Sequence, residues 1–343
     1  MEPTMLQAIW FALIMVLLAV YCILDGFDLG AGIILPFAAK DDDDRRAVFN
    51  AIGPVWDGNE VWLLTGGGAL FAAFPQAYAT VFSGFYIPVM LLVFSLVLRA
   101  VSLEFWLYDH IRKRLWARVL TASSLAAALL MGVAAGNLVQ GIPLDGAGNY
   151  HGGFWGLIRP FPVMTGILTA FAFATHGALF LKLRPQTADR LSERCSIIAK
   201  VSGYGLIAAF SLALVVFSFL APERMMSGLL QPVFLLGLAV ALASLGALTV
   251  MIKASQTVRA FAASAVFIAS LWLSALALNY PFIVPSPDGG LHIARAASSA
   301  LTLKVMLVIA LTGLPVVGAY TVWVYRIFGR KPETSLNATK NPA

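Results

Sequence analysis

The chain has 343 residues, of which 60% are apolar and only 12% charged, with a net charge of +6. Soluble domains carry about 25% charged residues, so this composition excludes a soluble enzyme and predicts an all-α polytopic membrane protein. The positive charge does not point to nucleic acid, because the basic residues are spread over short connections between apolar runs.

A crossing of a ~30 Å hydrocarbon core needs about 20 apolar residues. Nine stretches qualify, near 8–36, 49–74, 79–104, 119–136, 161–181, 201–220, 228–252, 260–280 and 301–325. The first follows a segment with no Lys or Arg and no small-residue cleavage site, so it reads as a retained span rather than a signal peptide. Its Gly-rich end exceeds what a crossing needs. The second contains GPVWDGNEVWLLTGGG (53–68), with Asp57 and Glu60 three residues apart on one helix face. The third ends on Arg99 and Glu104, and Asp25 and Asp28 fall late in the first.

Connections after the odd-numbered spans, with the C-terminal segment, hold 18 of the 23 Lys and Arg residues, from Lys40 to Lys340. The opposite side holds Arg159, Arg224 and Arg295, with Lys304 just inside the last span. The positive-inside rule then predicts an external N-terminus and a cytoplasmic C-terminus. Residues 1–330 form one transmembrane domain and 331–343 a polar cytoplasmic tail. The external connections 137–160 and 281–300, rich in Gly, Pro and aromatic residues, read as ordered caps. Cys22 lies in a span and Cys195 in a cytoplasmic loop, which argues against a disulfide.

With this orientation Asp25, Asp28, Asp57, Glu60, Arg99 and Glu104 all fall in the cytoplasmic half of the first three spans. An ionised side chain in hydrocarbon costs at least ~2.5 kcal/mol, so such a group marks a pathway or a tightly paired cluster. Arg99 is the natural charge partner, being permanently charged and able to hold a carboxylate with two donors. Five acids against one arginine leave uncompensated charge, which favours a proton-uptake path over a static bridge. A proton- or cation-coupled transporter uses the same chemistry and stays open as the alternative, as does a subunit whose ion pairs serve only packing.

The remaining signals are weaker. Gly26 with Gly30, and Gly132 with Gly136, have the spacing of close helix contacts. Gly66, Gly67 and Gly68 lack the lysine of a phosphate loop and read as another close approach. His176 is the one histidine in a span and reads as a hydrogen-bonded core residue rather than a heme ligand. No paired-histidine, CxxCH or HExxH pattern occurs, so no metal site is expected in this chain.

The segments LDGFDLGAG (24–32), GPVWDGNEVWLLTGGGALFAAFP (53–75) and FSGFYIPVMLLVFSLVLRAVSLEF (82–105) resemble subunit II of the cytochrome bd-type quinol oxidases. GNLVQG (136–141), THGALFL (175–181), YPFIVPS (280–286) and SSALTLKVMLVIALTGLPVVGAYTVWVY (298–325) continue the resemblance in collinear order. It implies a multi-pass subunit of the bacterial plasma (inner) membrane, in a heterodimer that oxidises membrane quinol and reduces O2 to water. It implies b- and d-type hemes ligated by subunit I, with none bound by this chain, and allows a small single-span accessory subunit. Carried over by motif, Asp25, Asp28 and Asp57 are the first candidates for cytoplasmic proton uptake, with Glu60, Arg99 and Glu104 beside them. Glu60 also hints at the cyanide-insensitive branch.

Overall fold

The computed structural model describes residues 2–184 and 187–328. Thirteen α-helices occur among them. The first half contains α1 (Met5–Ala38), α2 (Asp42–Ile52), α3 (Trp56–Ala73), α4 (Pro75–Gly84), α5 (Tyr86–Tyr108), α6 (Lys113–Gln140) and α7 (Pro160–Leu183). The second half contains α8 (Asp189–Leu220), α9 (Pro222–Leu229), α10 (Pro232–Lys253), α11 (Thr257–Asn279), α12 (Ile293–Ala296) and α13 (Ala300–Phe328). Strands β1 (Phe282–Val284) and β2 (Leu291–His292) form a small antiparallel pair.

Local chemistry accounts for the boundaries. A capping box opens α1, with Thr4 and Gln7 exchanging side-chain-to-backbone hydrogen bonds. Helices α4, α7, α9 and α10 each begin on a proline, whose missing N–H costs nothing in a first turn. Asp41 caps α2, and Asp42, Asp43 and Asp44 fill the positive end of its dipole.

Eight helices are long and apolar enough to cross a membrane: α1, α5, α6, α7, α8, α10, α11 and α13. The expected second span, 49–74, is not continuous. Gly53 and Pro54 interrupt it after α2, and only α3 continues, at 18 residues and ~27 Å. Its polar first turns keep it out of the apolar set, and it packs along α1, with Asn59 against Leu24 and Gly66 against Leu18. The expected start near 228 likewise moves to Pro232, with α9 a separate short helix.

Helices α1 and α7 form the centre. Gly30 and Gly177 meet at their crossing, where a Cβ on Gly30 would lie 1.8 Å from the Phe173 carbonyl oxygen and one on Gly177 would lie 2.4 Å from the Ala31 nitrogen. Gly132 and Gly136 let α6 approach α7 in the same way, against Thr165 and Gly166. Gly66 touches Leu18, but Gly67 and Gly68 have nothing near a Cβ position, so the triple glycine is only partly a close approach within this chain.

The two ends of the bundle are tied differently. At one end, Asp44 on α2 pairs with Arg194 on α8, and Phe49 stacks on Trp106 at 4.3 Å, over which Lys113 sits. At the other, Ser298 donates to the Ala72 and Ala73 carbonyls that end α3, and the Trp10 indole donates to Leu303. Arg159 donates to Asn137 and Gly141, Arg224 to Val139 and Asn279, and the Ile142 amide to the Pro285 carbonyl, which ties the expected cap 137–160 to the expected cap 281–300 with its β1–β2 pair. Both cysteines are free, and Cys195 is buried on α8 rather than in a loop, because that helix starts 12 residues before the expected span.

Candidate functional site: a buried arginine and its carboxylates

Helices α1, α3 and α5 meet around Arg99, whose side chain is 1% exposed. One terminal nitrogen donates to Asp25 on α1 and the other to Glu60 on α3, so a single guanidinium bridges two helices from a third. Asp25 is fully enclosed, whereas Glu60 reaches the surface of the chain. The planar fork of arginine suits this double bridge, which a lysine could not reproduce.

Asp28, one turn along α1, is not bonded to Arg99. It accepts a hydrogen bond of 2.7 Å from the Asn59 amide, which also donates to the Leu24 carbonyl at 3.2 Å. The Asn59 oxygen accepts from the Tyr325 hydroxyl at 2.8 Å. A continuous string therefore runs from α13 through α3 to α1. Arg184 lies beyond it, its guanidinium 4.2 Å from the Phe180 ring and 5.7 Å from that of Tyr325. The Tyr21 hydroxyl, Asp25 Oδ2, Asp28 Oδ1 and the Trp62 indole N–H have no hydrogen-bond partner among the described residues. Buried polar atoms are normally paired, so these four make the cluster incompletely satisfied by this chain's own groups.

Of the six charges expected to converge, Asp25, Asp28, Glu60 and Arg99 do. Asp57 and Glu104 do not. Asp57 falls in the first turn of α3, on the exposed side, because the helix starts at Trp56 instead of several residues earlier. Glu104 is exposed on α5, away from the face that carries Arg99. Asn59, Tyr325 and Arg184 escaped the sequence reading. Asn59 stood in the quoted motif between two acids, and its buried amide within the apolar run was the available signal. Tyr325 lies 266 positions from its partner, and nothing local marks it.

These helices and this cluster belong to a recognisable lineage. A family model described as cytochrome bd terminal oxidase subunit II matches residues 6–328. The chain belongs to this family of cytochrome bd oxidase subunits. It is 33% identical to the cytochrome bd-I ubiquinol oxidase subunit 2 of Escherichia coli K12, over 95% of each chain. It is 33% identical to a probable cytochrome oxidase subunit 2 of Haemophilus influenzae, over 98% of each, and 32% identical to the cytochrome bd ubiquinol oxidase subunit 2 of Bacillus subtilis, over 95% of this chain and 96% of that one. A chain in the structure of bd oxidase from Geobacillus thermodenitrificans shares the fold, with a TM-score of 0.75 at 16% identity, covering 95% of this chain and 99% of that one. As a member, this subunit II is a multi-pass protein of the bacterial inner membrane and part of an oxidoreductase complex.

The family implies hemes in the complex, and His176, the histidine within a span of this chain, is not placed to hold one. His176 is buried with both ring nitrogens engaged, Nδ1 with the Ser264 hydroxyl at 2.6 Å and Nε2 with the Ile23 carbonyl at 3.1 Å. Its ring stacks on Phe261 at 4.3 Å, and with both nitrogens engaged the ring offers no free ligand atom to an iron. His292 accepts from the Ala294 amide at 3.1 Å in the cap. Among the described residues no three His, Cys, Asp or Glu side chains are grouped for a metal.

Proposed function

We propose that this chain acts as subunit II of a two-subunit quinol oxidase, supporting a heme-bearing subunit I and carrying part of the path by which protons enter from the cytoplasm. The observation that carries the reading is the Arg99 bridge beside the Tyr325–Asn59–Asp28 string. Two carboxyls share one guanidinium and a third, Asp28, lies beside them without a cation of its own, so the cluster has capacity for a proton that a balanced ion pair would lack. Glu60 supplies the opening to the surface, and Arg99 holds Asp25 and Glu60 in fixed orientation as protons pass.

Asp57 and Glu104 have a different part in this proposal. Both are exposed on helices that also expose apolar side chains, Val61, Leu64 and Phe71 on α3 and Phe94, Leu98 and Phe105 on α5. Acids on such a surface favour cover by protein over cover by lipid. Subunit I docking across α3 and α5 supplies that cover, and Asp57 and Glu104 then line the joint, delivering protons toward Glu60. Gly67 and Gly68 on α3 leave room there for a close-packed partner helix.

The test is oxygen consumption per heme in the purified two-subunit complex. Asp28→Asn keeps size and hydrogen-bonding capacity but removes the titrating group, so turnover should fall roughly tenfold or more while heme content holds. Asp57→Asn should do the same. Normal turnover per heme in both variants would leave the cluster as packing alone.

A further inference from the structure

A second polar feature lies where the end of α7, the first half of α8, the end of α10 and the start of α11 meet. Lys182 on α7 and Lys200 on α8 line an open cleft together with Ser196, Ser255 and Thr257, and its empty volume, open solvent included, is about 300 Å³. A neighbouring cleft of about 220 Å³, measured the same way, shares Lys200 and Ile252 with the first and adds Tyr204 and Lys253. Three lysines and five hydroxyl-bearing residues, Thr249 included, thus line adjoining hollows, and no Asp or Glu lines either of them. None of the three lysines takes part in a salt bridge among the described residues. Lys182 is half-buried, while Lys200 is exposed at the shared rim.

Thr257 is also the first residue of α11, and that helix start carries no side-chain cap. Its open backbone donors and dipole add to the positive character of the first cleft. The turn feeding it is fixed by Ser255, which adopts a left-handed backbone at φ 57°.

The geometry points to a binding site for the phosphate of an anionic phospholipid. The lysines and hydroxyls supply a trap for the phosphate oxygens. Ile197 and Val201 on α8 and Val250 on α10 stand exposed on helix surfaces beside the clefts, with Tyr204 exposed at the second cleft itself. A soluble phosphate makes no use of those apolar side chains, whereas acyl chains do. Basic hollows between helix ends are a known form of lipid recognition, each cation near the headgroups adding attraction. The cleft touches none of the residues of the Arg99 cluster, so its occupancy and proton delivery are separable.

The experiment uses the intact two-subunit complex, purified by its heme absorbance, delipidated and re-exposed to phosphatidylglycerol or phosphatidylcholine. Native mass spectrometry counts the lipid retained. Phosphatidylglycerol should be retained over phosphatidylcholine, and Lys182→Gln with Lys200→Gln should lower its retention roughly tenfold. Lys182→Arg with Lys200→Arg should restore it. In the unmodified complex, phosphatidylglycerol carrying a photoreactive acyl chain should label the 197–204 segment or Val250, and an excess of inorganic phosphate should not displace it. Equal retention of the two lipids, unchanged retention in the double glutamine variant, or labelling confined to other helices would overturn the site. Displacement by inorganic phosphate would overturn the lipid as its occupant.

Discussion

Arg99 and Asn59 organise the same cluster but fail differently when changed. Arg99→Leu strands Asp25 and Glu60 without their cation, and breaking a buried pair from one side costs ~3–5 kcal/mol. The expected outcome is loss of assembled complex, read as heme recovered per membrane protein. Asn59→Leu removes an amide that satisfies two helices at once, and should lower turnover per heme with a smaller loss of yield. Tyr325→Phe deletes a single neutral hydrogen bond, worth about 1 kcal/mol, and should leave assembly intact while slowing turnover less than Asn59→Leu. If Tyr325→Phe and Asn59→Leu both turn over at the normal rate, the string from α13 to α1 has no part in proton delivery. The acids of the cluster were legible as residues because an apolar run tolerates few charges. Their sorting into bonded and exposed groups was not legible, since it depends on where α3 starts. A break at Gly53–Pro54 turned that helix so that Asn59 faces α1 while Asp57 faces outward.

Single helices carry two further expectations. A methyl group on Gly177 would collide with the α1 backbone at 2.4 Å, which neither helix can relieve without moving apart. Gly177→Ala should therefore abolish accumulation of the chain in the membrane. Gly67→Ala and Gly68→Ala meet nothing within this chain, so they should leave it stable. Loss of co-purifying subunit I from these two variants would support docking along α3, and full retention would count against it. The spacing of small residues disclosed the α1–α7 and α6–α7 contacts, but spacing alone could not separate a glycine that meets a neighbour from one that meets open space. The α5–α6 turn behaves as a separate unit. The Trp116 indole donates to Asp109 at 3.0 Å, and the Ile111 and Arg112 amides donate to its other oxygen. These bonds, the Trp116 one foremost, hold the Asp109 carboxyl below the usual carboxylate range. A depressed folded value means the turn's stabilisation is present above about pH 4, the unfolded value, and fades as pH falls through the folded value. Faster amide exchange at Ile111 and Arg112 under acid, absent in Asp109→Asn, is the corresponding measurement.

Across the molecule, alternation of loop charge predicts which end faces the cytoplasm. A reporter active only outside the cytoplasm should work when inserted at Gly146 and stay silent when fused after Arg330. The reverse pattern would invert the direction in which protons reach Glu60. Apolar length made eight of the crossings readable, because bilayer thickness constrains each run independently of its neighbours. The ninth run yielded to its own polar residues, and those are the ones the cluster uses. The 331–343 tail lies outside the described residues.

The hydrogen bonds joining α1, α3 and α13 also impose an order of events in time. Asp28 and Asn59 are 31 positions apart and can meet while the chain is still short. Tyr325 closes the string across 266 positions, after every intervening helix has been made and inserted. Contacts so distant in sequence form late, since the ends must first be brought together. The Arg99 bridge joins helices within the first 108 residues, whereas the Tyr325 end of the string closes only once the last helix is made. Until the final helix arrives, the Asn59 oxygen lacks the Tyr325 hydroxyl, and the seam between α1 and α3 is one hydrogen bond short.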